Sequence, residues 1–104
     1  MTISEIESRL SATVYVSTDK NTAGVYVGDF LSRVMGKAPS GCVWLTVMSN
    51  VNVAGVATLA EIGAIVLCEG VEPDANLVER CKSEEIALLK SPLAVYEACV
   101  ALSK

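Results

Sequence analysis

The chain has 104 residues and a net charge of −4 at neutral pH; 52% of the residues are hydrophobic, 19% are charged and none is histidine. This length makes one domain, and the acidic balance, with eight scattered Lys and Arg, weighs against nucleic acid and anionic membrane as partners. Without histidine, Ser–His and Cys–His catalysis are excluded, and a zinc site has few routes.

Ile3, Ile6 and Leu10 stand at helical spacing and predict a short helix from Ser4. Thr13-Val14-Tyr15-Val16 reads as a strand, and Ser17 to Gly24 as a polar loop with turn formers. Val25-Tyr26-Val27 is a second, short strand. Asp29 is placed to cap a helix carrying Phe30, Leu31, Val34 and Met35 that ends near Gly36. Gly24 to Asp29 lacks the Gly-Lys-Ser/Thr of a Walker A loop and the glycine spacing of a dinucleotide fingerprint. Its glycines read as turns on either side of a short strand.

After a turn from Lys37 to Gly41, Cys42–Met48 is an apolar strand followed by Ser49-Asn50 and a helix from about Val51 to Glu61. That helix is apolar almost all round, which predicts burial on two sides. The stretch between Lys37 and Glu61 holds no charge, but Pro39, Gly41, Ser49, Asn50 and Asn52 interrupt it. A bilayer helix needs about 20 predominantly apolar residues, so a membrane span is rejected. Ala64–Leu67 is the next strand, then Cys68-Glu69-Gly70 and a helix that Asp74 is placed to cap, with Leu77, Val78 and Cys81 inward. Ile86–Leu89 is the last strand. Lys90-Ser91-Pro92 leads into a final helix with two apolar stripes, Leu93/Tyr96/Val100 and Val95/Cys99/Leu102, and Pro92 suits its first turn.

The alternation predicts an α/β fold: a single domain over residues 1–104, with a mainly parallel sheet of four to five strands and helices packed on it. Loops after parallel strands gather at the carboxyl edge, where such sheets bind ligands. The candidate ligand-binding residues are therefore Ser17, Thr18, Asp19, Ser49, Asn50, Asn52, Glu69, Gly70 and Ser91, and Ser17-Thr18-Asp19, Ser49-Asn50, Glu69-Gly70 and Ser91 are expected as neighbours. The helix opening near Val51 offers free N–H groups to an anion. Lys20, Arg33 and Lys90 are weak phosphate partners. Glu69 with Glu72 reads as solvated charge rather than a cation site.

Cys42, Cys68, Cys81 and Cys99 form no Cys-x-x-Cys pair, so neither metal nor cofactor is expected. They read as reduced core residues of a cytoplasmic protein, and no secretory signal precedes them. Cys68 stands at a strand end near the expected cleft. A mean hydropathy of +0.48 is high for a domain that buries only roughly 60–65% of its unfolded surface. Part of that surplus is expected in a subunit interface.

The order of segments resembles the DRTGG domain, from about Ser4 to Lys104. The matching pieces are Gly24–Asp29 with its helix, Trp44–Met48 before a polar turn, Ile65–Gly70, and Ser91–Tyr96 opening the last helix. Where that family carries Asp-Arg, this chain reads Ser49-Asn50-Val51-Asn52, and of Thr-Gly-Gly only Gly70 survives. Such domains are similar to the N-terminal domain of HPr kinase/phosphorylase, and they also occur in phosphotransacetylases and CBS-domain pyrophosphatases. Some stand-alone members accompany iron-only hydrogenase genes. The resemblance implies an α/β, often dimeric, accessory or regulatory domain without established catalysis.

The leading expectation is a non-catalytic regulatory or interaction module that pairs with itself as a homodimer or with another protein. The alternatives are a sensor that binds a small anion or nucleotide at the carboxyl ends of the strands, and an accessory protein of iron-only hydrogenase. A minor enzyme using Cys68 or Asp19 is the weakest reading.

Overall fold

The computed structural model describes residues 1–104. Helix α1 (Ile3–Leu10) begins where Thr2 accepts the Glu5 N–H at 3.2 Å and the Glu5 carboxylate accepts the Thr2 N–H at 2.8 Å. This capping box satisfies two N–H groups that a helix start otherwise leaves unpaired. Strands β1 (Thr13–Val16) and β2 (Val25–Val27) follow, then α2 (Leu31–Lys37), β3 (Val43–Thr46), α3 (Asn52–Leu59), β4 (Ala64–Leu67), α4 (Ala75–Glu84), β5 (Ala87–Lys90) and α5 (Val95–Leu102).

All residues of β3 and β4 are buried, as their unbroken apolar runs require of strands covered on both faces. The five strands form one sheet in the order β1-β5-β4-β3-β2. The pairs β2–β3, β3–β4 and β4–β5 are parallel, and β1 runs antiparallel to β5. Period-2 alternation sorts the side chains into two cores. Trp44, Ile65, Leu67 and Leu88 face α2, α3 and α4, which contribute Val34, Val53, Val56, Leu77 and Cys81. Val43, Leu45, Val66 and Leu89 face α1 and α5, which contribute Ile3, Ile6, Leu10, Ala98 and Leu102. Each Val, Leu or Ile among them removed from water is worth about 1.5–3 kcal/mol.

Several local expectations are revised. Asp29 does not cap α2: the N-cap is Phe30, with no side-chain bond, and the Asp29 carboxylate is engaged elsewhere. Asp74 occupies the N-cap of α4 without making the cap bond. Helix α5 starts at Val95 rather than at Pro92; Tyr96 is exposed, and Ala98 and Leu102 are the buried positions. Helix α3 lies between α2 and α4 with Val53, Ala54, Val56 and Ala57 buried, but Leu59 points outward. No helix is long and apolar enough to cross a membrane.

Strands β1 and β2 are consecutive in the chain yet lie at opposite edges of the sheet. The segment Ser17–Gly24 therefore runs under the whole amino edge. It is held there by Ala23 N–H to the Gly41 carbonyl at 2.9 Å and by Thr22 N–H to the Met1 carbonyl at 2.8 Å. Gly63 lies at the same edge, where an added Cβ would sit 2.5 Å from the Gly41 oxygen and 3.0 Å from Thr22 Cγ2. Only glycine fits this approach of backbone to backbone.

Candidate functional sites at the two sheet edges

The sheet has a carboxyl edge built from the ends of β2 to β5 and an amino edge crossed by the Ser17–Gly24 strap. At the carboxyl edge, Asp29 Oδ1 accepts the Thr46 hydroxyl at 2.6 Å and the Val47 N–H at 2.9 Å. Trp44 Nε1 donates to the Gly28 carbonyl at 2.8 Å. Together these bonds seat the β2–α2 turn on the end of β3.

Ser49 and Asn50 follow β3. The Ser49 hydroxyl donates to Asp74 Oδ1 at 3.3 Å, and the Asp74 N–H returns to the Ser49 carbonyl at 3.0 Å. Asn50 Oδ1 accepts the Asn52 N–H at 3.0 Å, and the Asn50 carbonyl accepts the Val53 N–H at 3.1 Å. The start of α3 thus meets much of its donor capacity within the chain, while the Asn52 side chain is exposed.

Glu69 and Gly70 adopt positive φ angles of 60° and 70°. Their N–H groups donate to the Leu93 and Ser91 carbonyls, both at 2.8 Å, and so bind the β4–α4 loop to the β5–α5 loop. Ser91 is fully buried. Its hydroxyl donates to the Leu10 carbonyl at 2.7 Å and accepts the Leu93 N–H at 3.1 Å. Ser91 holds α1 and α5 to the sheet and presents nothing to solvent.

Lys90 pairs with Glu72, whose second carboxylate oxygen accepts the Tyr15 hydroxyl at 2.9 Å. The Lys90 ammonium, followed by the Tyr15 hydroxyl, holds the Glu72 carboxyl below its ordinary range. The same carboxylate pushes Lys90 up. With Asp29, Glu69, Glu72 and Asp74 on these loops against Lys90 and the Arg33 of the first turn of α2, this edge carries excess negative charge, which repels an anion.

The structure brings Ser49, Asn50, Asn52, Glu69, Gly70 and Ser91 to one edge. It does not bring Ser17, Thr18 and Asp19 there. The expectation that Ser17-Thr18-Asp19 lie beside Ser49-Asn50, Glu69-Gly70 and Ser91 assumed a parallel β1. Because β1 runs antiparallel to β5, its carboxyl end opens at the amino edge.

Both clefts of the molecule are at that amino edge. One, of about 460 Å³, is lined by Ser17, Thr18, Asp19, Lys20, Lys82 and Glu85. The other, of about 260 Å³, includes Lys20, Asn21, Ser40, Glu61 and Glu84. Lys20 borders both, with Nζ 3.5 Å from the Glu85 carbonyl. The Thr18 hydroxyl oxygen is buried and has no hydrogen-bond partner. Lys82, Glu84 and Glu85 come from the end of α4 and were not foreseen as lining; their only signal is the run of charge at Lys82–Glu85.

All four cysteines are free thiols, and Cys42, Cys68 and Cys81 are buried. Burial first, and then the neighbouring Cys99, Glu69 and Asp29, pushes Cys68 up to about 11. Burial likewise pushes Cys81 up to about 11. A thiol so held is a poor nucleophile. No three or more Cys, Asp or Glu side chains are grouped to hold a metal ion.

No protein-family model matches the sequence, and no curated protein matches it. Among solved structures, the chain is similar to the crystal structure of the CBS and DRTGG domains of the regulatory region of Clostridium perfringens pyrophosphatase, complexed with the activator diadenosine tetraphosphate. The superposition covers 97% of this chain and 45% of that one, with a TM-score of 0.78 at 14% identity. The likeness is one of fold. The molecule is a single α/β domain of DRTGG-like architecture, and it spans less than half the length of that structure.

Proposed function

We propose that this chain is a non-catalytic regulatory module that acts through association with a second copy of itself. The observation that carries the reading is the apolar edge of the sheet left in water: Val25 is 41% exposed and Val27 44%, with Phe30 just beyond them at 69%. Apolar surface of this kind marks interaction sites. The fold it shares with part of a pyrophosphatase regulatory region supports a regulatory role, and four free thiols fit a cytoplasmic setting. Size exclusion coupled to light scattering tests the association. A mass near twice 10.9 kDa at micromolar concentration is expected, and a monomer would remove the basis of the reading. An accessory role beside iron-only hydrogenase would place another protein on the same apolar surface.

A second reading, a nucleotide or small-anion sensor, is favoured by one observation: the structural neighbour is complexed with diadenosine tetraphosphate. In this chain the acidic carboxyl edge disfavours a polyphosphate. The amino-edge cleft, where Lys20 and Lys82 balance Asp19 and Glu85, is the less repulsive lining for one. Calorimetry with diadenosine tetraphosphate and ATP should give a dissociation constant of tens of micromolar or weaker, about −6 kcal/mol. Lys20→Ala with Lys82→Ala should abolish binding. Binding that survives both substitutions would place the nucleotide elsewhere.

A further inference from the structure

The two edges of the sheet are finished differently. Natural edges are blunted by bulges, charges or proline, because an open edge offers its backbone to any other strand. Strand β1 has such protection: its pairing with β5 is broken by a register shift between Val14 and Val16, and Tyr15 is tied to Glu72. Strand β2 has none. It pairs with β3 without irregularity from Val25 to Val27, and Gly24–Gly28 contains neither charge nor proline.

The outward backbone groups follow from the ladder. The Gly24 carbonyl accepts the Val43 N–H at 2.9 Å, and the Gly28 N–H donates to the Leu45 carbonyl at 3.2 Å. Alternation along a parallel pair turns Tyr26 inward as well, so the N–H and C=O of Val25 and Val27 point away from β3. Their side chains stand in register with Val43 and Leu45, on the face covered by α1 and α5, yet remain 41% and 44% exposed.

The sequence Gly24-Val25-Tyr26-Val27-Gly28 reads the same in both directions. We propose that β2 pairs antiparallel with β2 of a second copy about a two-fold axis at Tyr26, joining two sheets into one. The inference rests on the self-association reading and names its interface. In this register Gly24 opposes Gly28, Val25 opposes Val27 and Tyr26 opposes Tyr26. Val25 of one copy and Val27 of the other exchange both backbone hydrogen bonds, and symmetry repeats the pair. The two Tyr26 residues form the closer, non-bonded pair, with Cα atoms about 4.5 Å apart.

Four valines then share one face. In this register valine opposes valine, a β-branched cross-strand pair of the kind that stabilises a ladder, and this favours a second copy as the occupant. The nearest charge, Asp29, falls opposite Ala23 of the other copy, so no like charges meet. Three strand residues alone fall short of the roughly 1,000 Å² that a specific interface buries. Phe30, just beyond the strand, and Tyr96, on the helix that packs against β2, extend it.

The test reads amide exchange residue by residue across a dilution series, alongside the mass. The Val25 and Val27 amides have no acceptor within one copy. They are expected to be protected at high concentration and to lose that protection in step with the dimer mass. Val25→Lys with Val27→Lys should leave the circular-dichroism spectrum unchanged and yield the 10.9 kDa monomer. A dimer whose Val25 and Val27 amides exchange freely, or a folded double variant that stays dimeric, overturns the β2 interface while leaving self-association intact. A wild-type monomer overturns both. Exchange on the unaltered protein decides the matter even if the double variant does not fold.

Discussion

Single residues here carry roles that their types alone do not announce. Gly63 is the clearest: a methyl group at that position would meet the Gly41 carbonyl at 2.5 Å, against backbone that cannot turn aside. Gly63→Ala should therefore cost about 2–3 kcal/mol, read as a lower urea midpoint with an unchanged slope. Glu72 offers a pH-dependent case. Its carboxyl is held below the ordinary 4.5, first by Lys90 and then by Tyr15. Its contribution to stability is thus present above that value and is lost as pH falls through the lower folded value. Lys90 is raised above 10.5 by the same carboxylate, so its share persists below 10.5 and is lost as pH rises through the higher folded value. Glu72→Gln should flatten the acid limb of a stability profile taken from about pH 3 to about pH 7, with a small effect in mid-range because solvent screens the pair. An unchanged acid limb would show that other carboxylates set it. Ser91, a candidate by its place after a strand, is buried with its hydroxyl on the Leu10 carbonyl, which a sequence position alone does not reveal.

At the scale of elements, the strands and helices from Cys42 to Leu89 were legible because burial on both faces leaves continuous apolar runs, and helical spacing separates them. Helix starts were legible to within one to three residues, but their bonding was not. Asp29 and Asp74 precede helices as caps should, yet their carboxylates hold the β3–α3 loop through Thr46, Val47 and Ser49. Competition among nearby donors decides such cases, and those donors lie far away in sequence. Thr2 is the contrasting case, a reciprocal cap with Glu5. Thr2→Ala should cost about 1 kcal/mol, whereas Asp74→Ala should cost less because no helix N–H depends on its side chain. Thermal melts of the two variants would check the order.

For the molecule as a whole, the fold class was open to sequence reasoning and the direction of β1 was not. A parallel strand would have carried Ser17–Asp19 to the acidic carboxyl edge; the antiparallel one delivers them to the amino edge, beside both clefts. Nothing in Thr13–Val16 encodes that direction, because it is set by pairing with β5 near the other end of the chain. Protein synthesis meets this topology in an unfavourable order. Helix α1 and strand β1 emerge first, but the sheet neighbour of β1 is β5, made almost last. Strands β2, β3 and β4 can join as they appear, each beside its predecessor, while the first strand waits for a distant contact with a high entropic cost. Until Ala87–Leu102 has left the ribosome, Ile3, Ile6 and Leu10 lack Leu89, Ala98 and Leu102 of the core they share. A nascent chain halted before that point carries an apolar amino-terminal helix with no completed sheet to cover it, the kind of surface that chaperones bind.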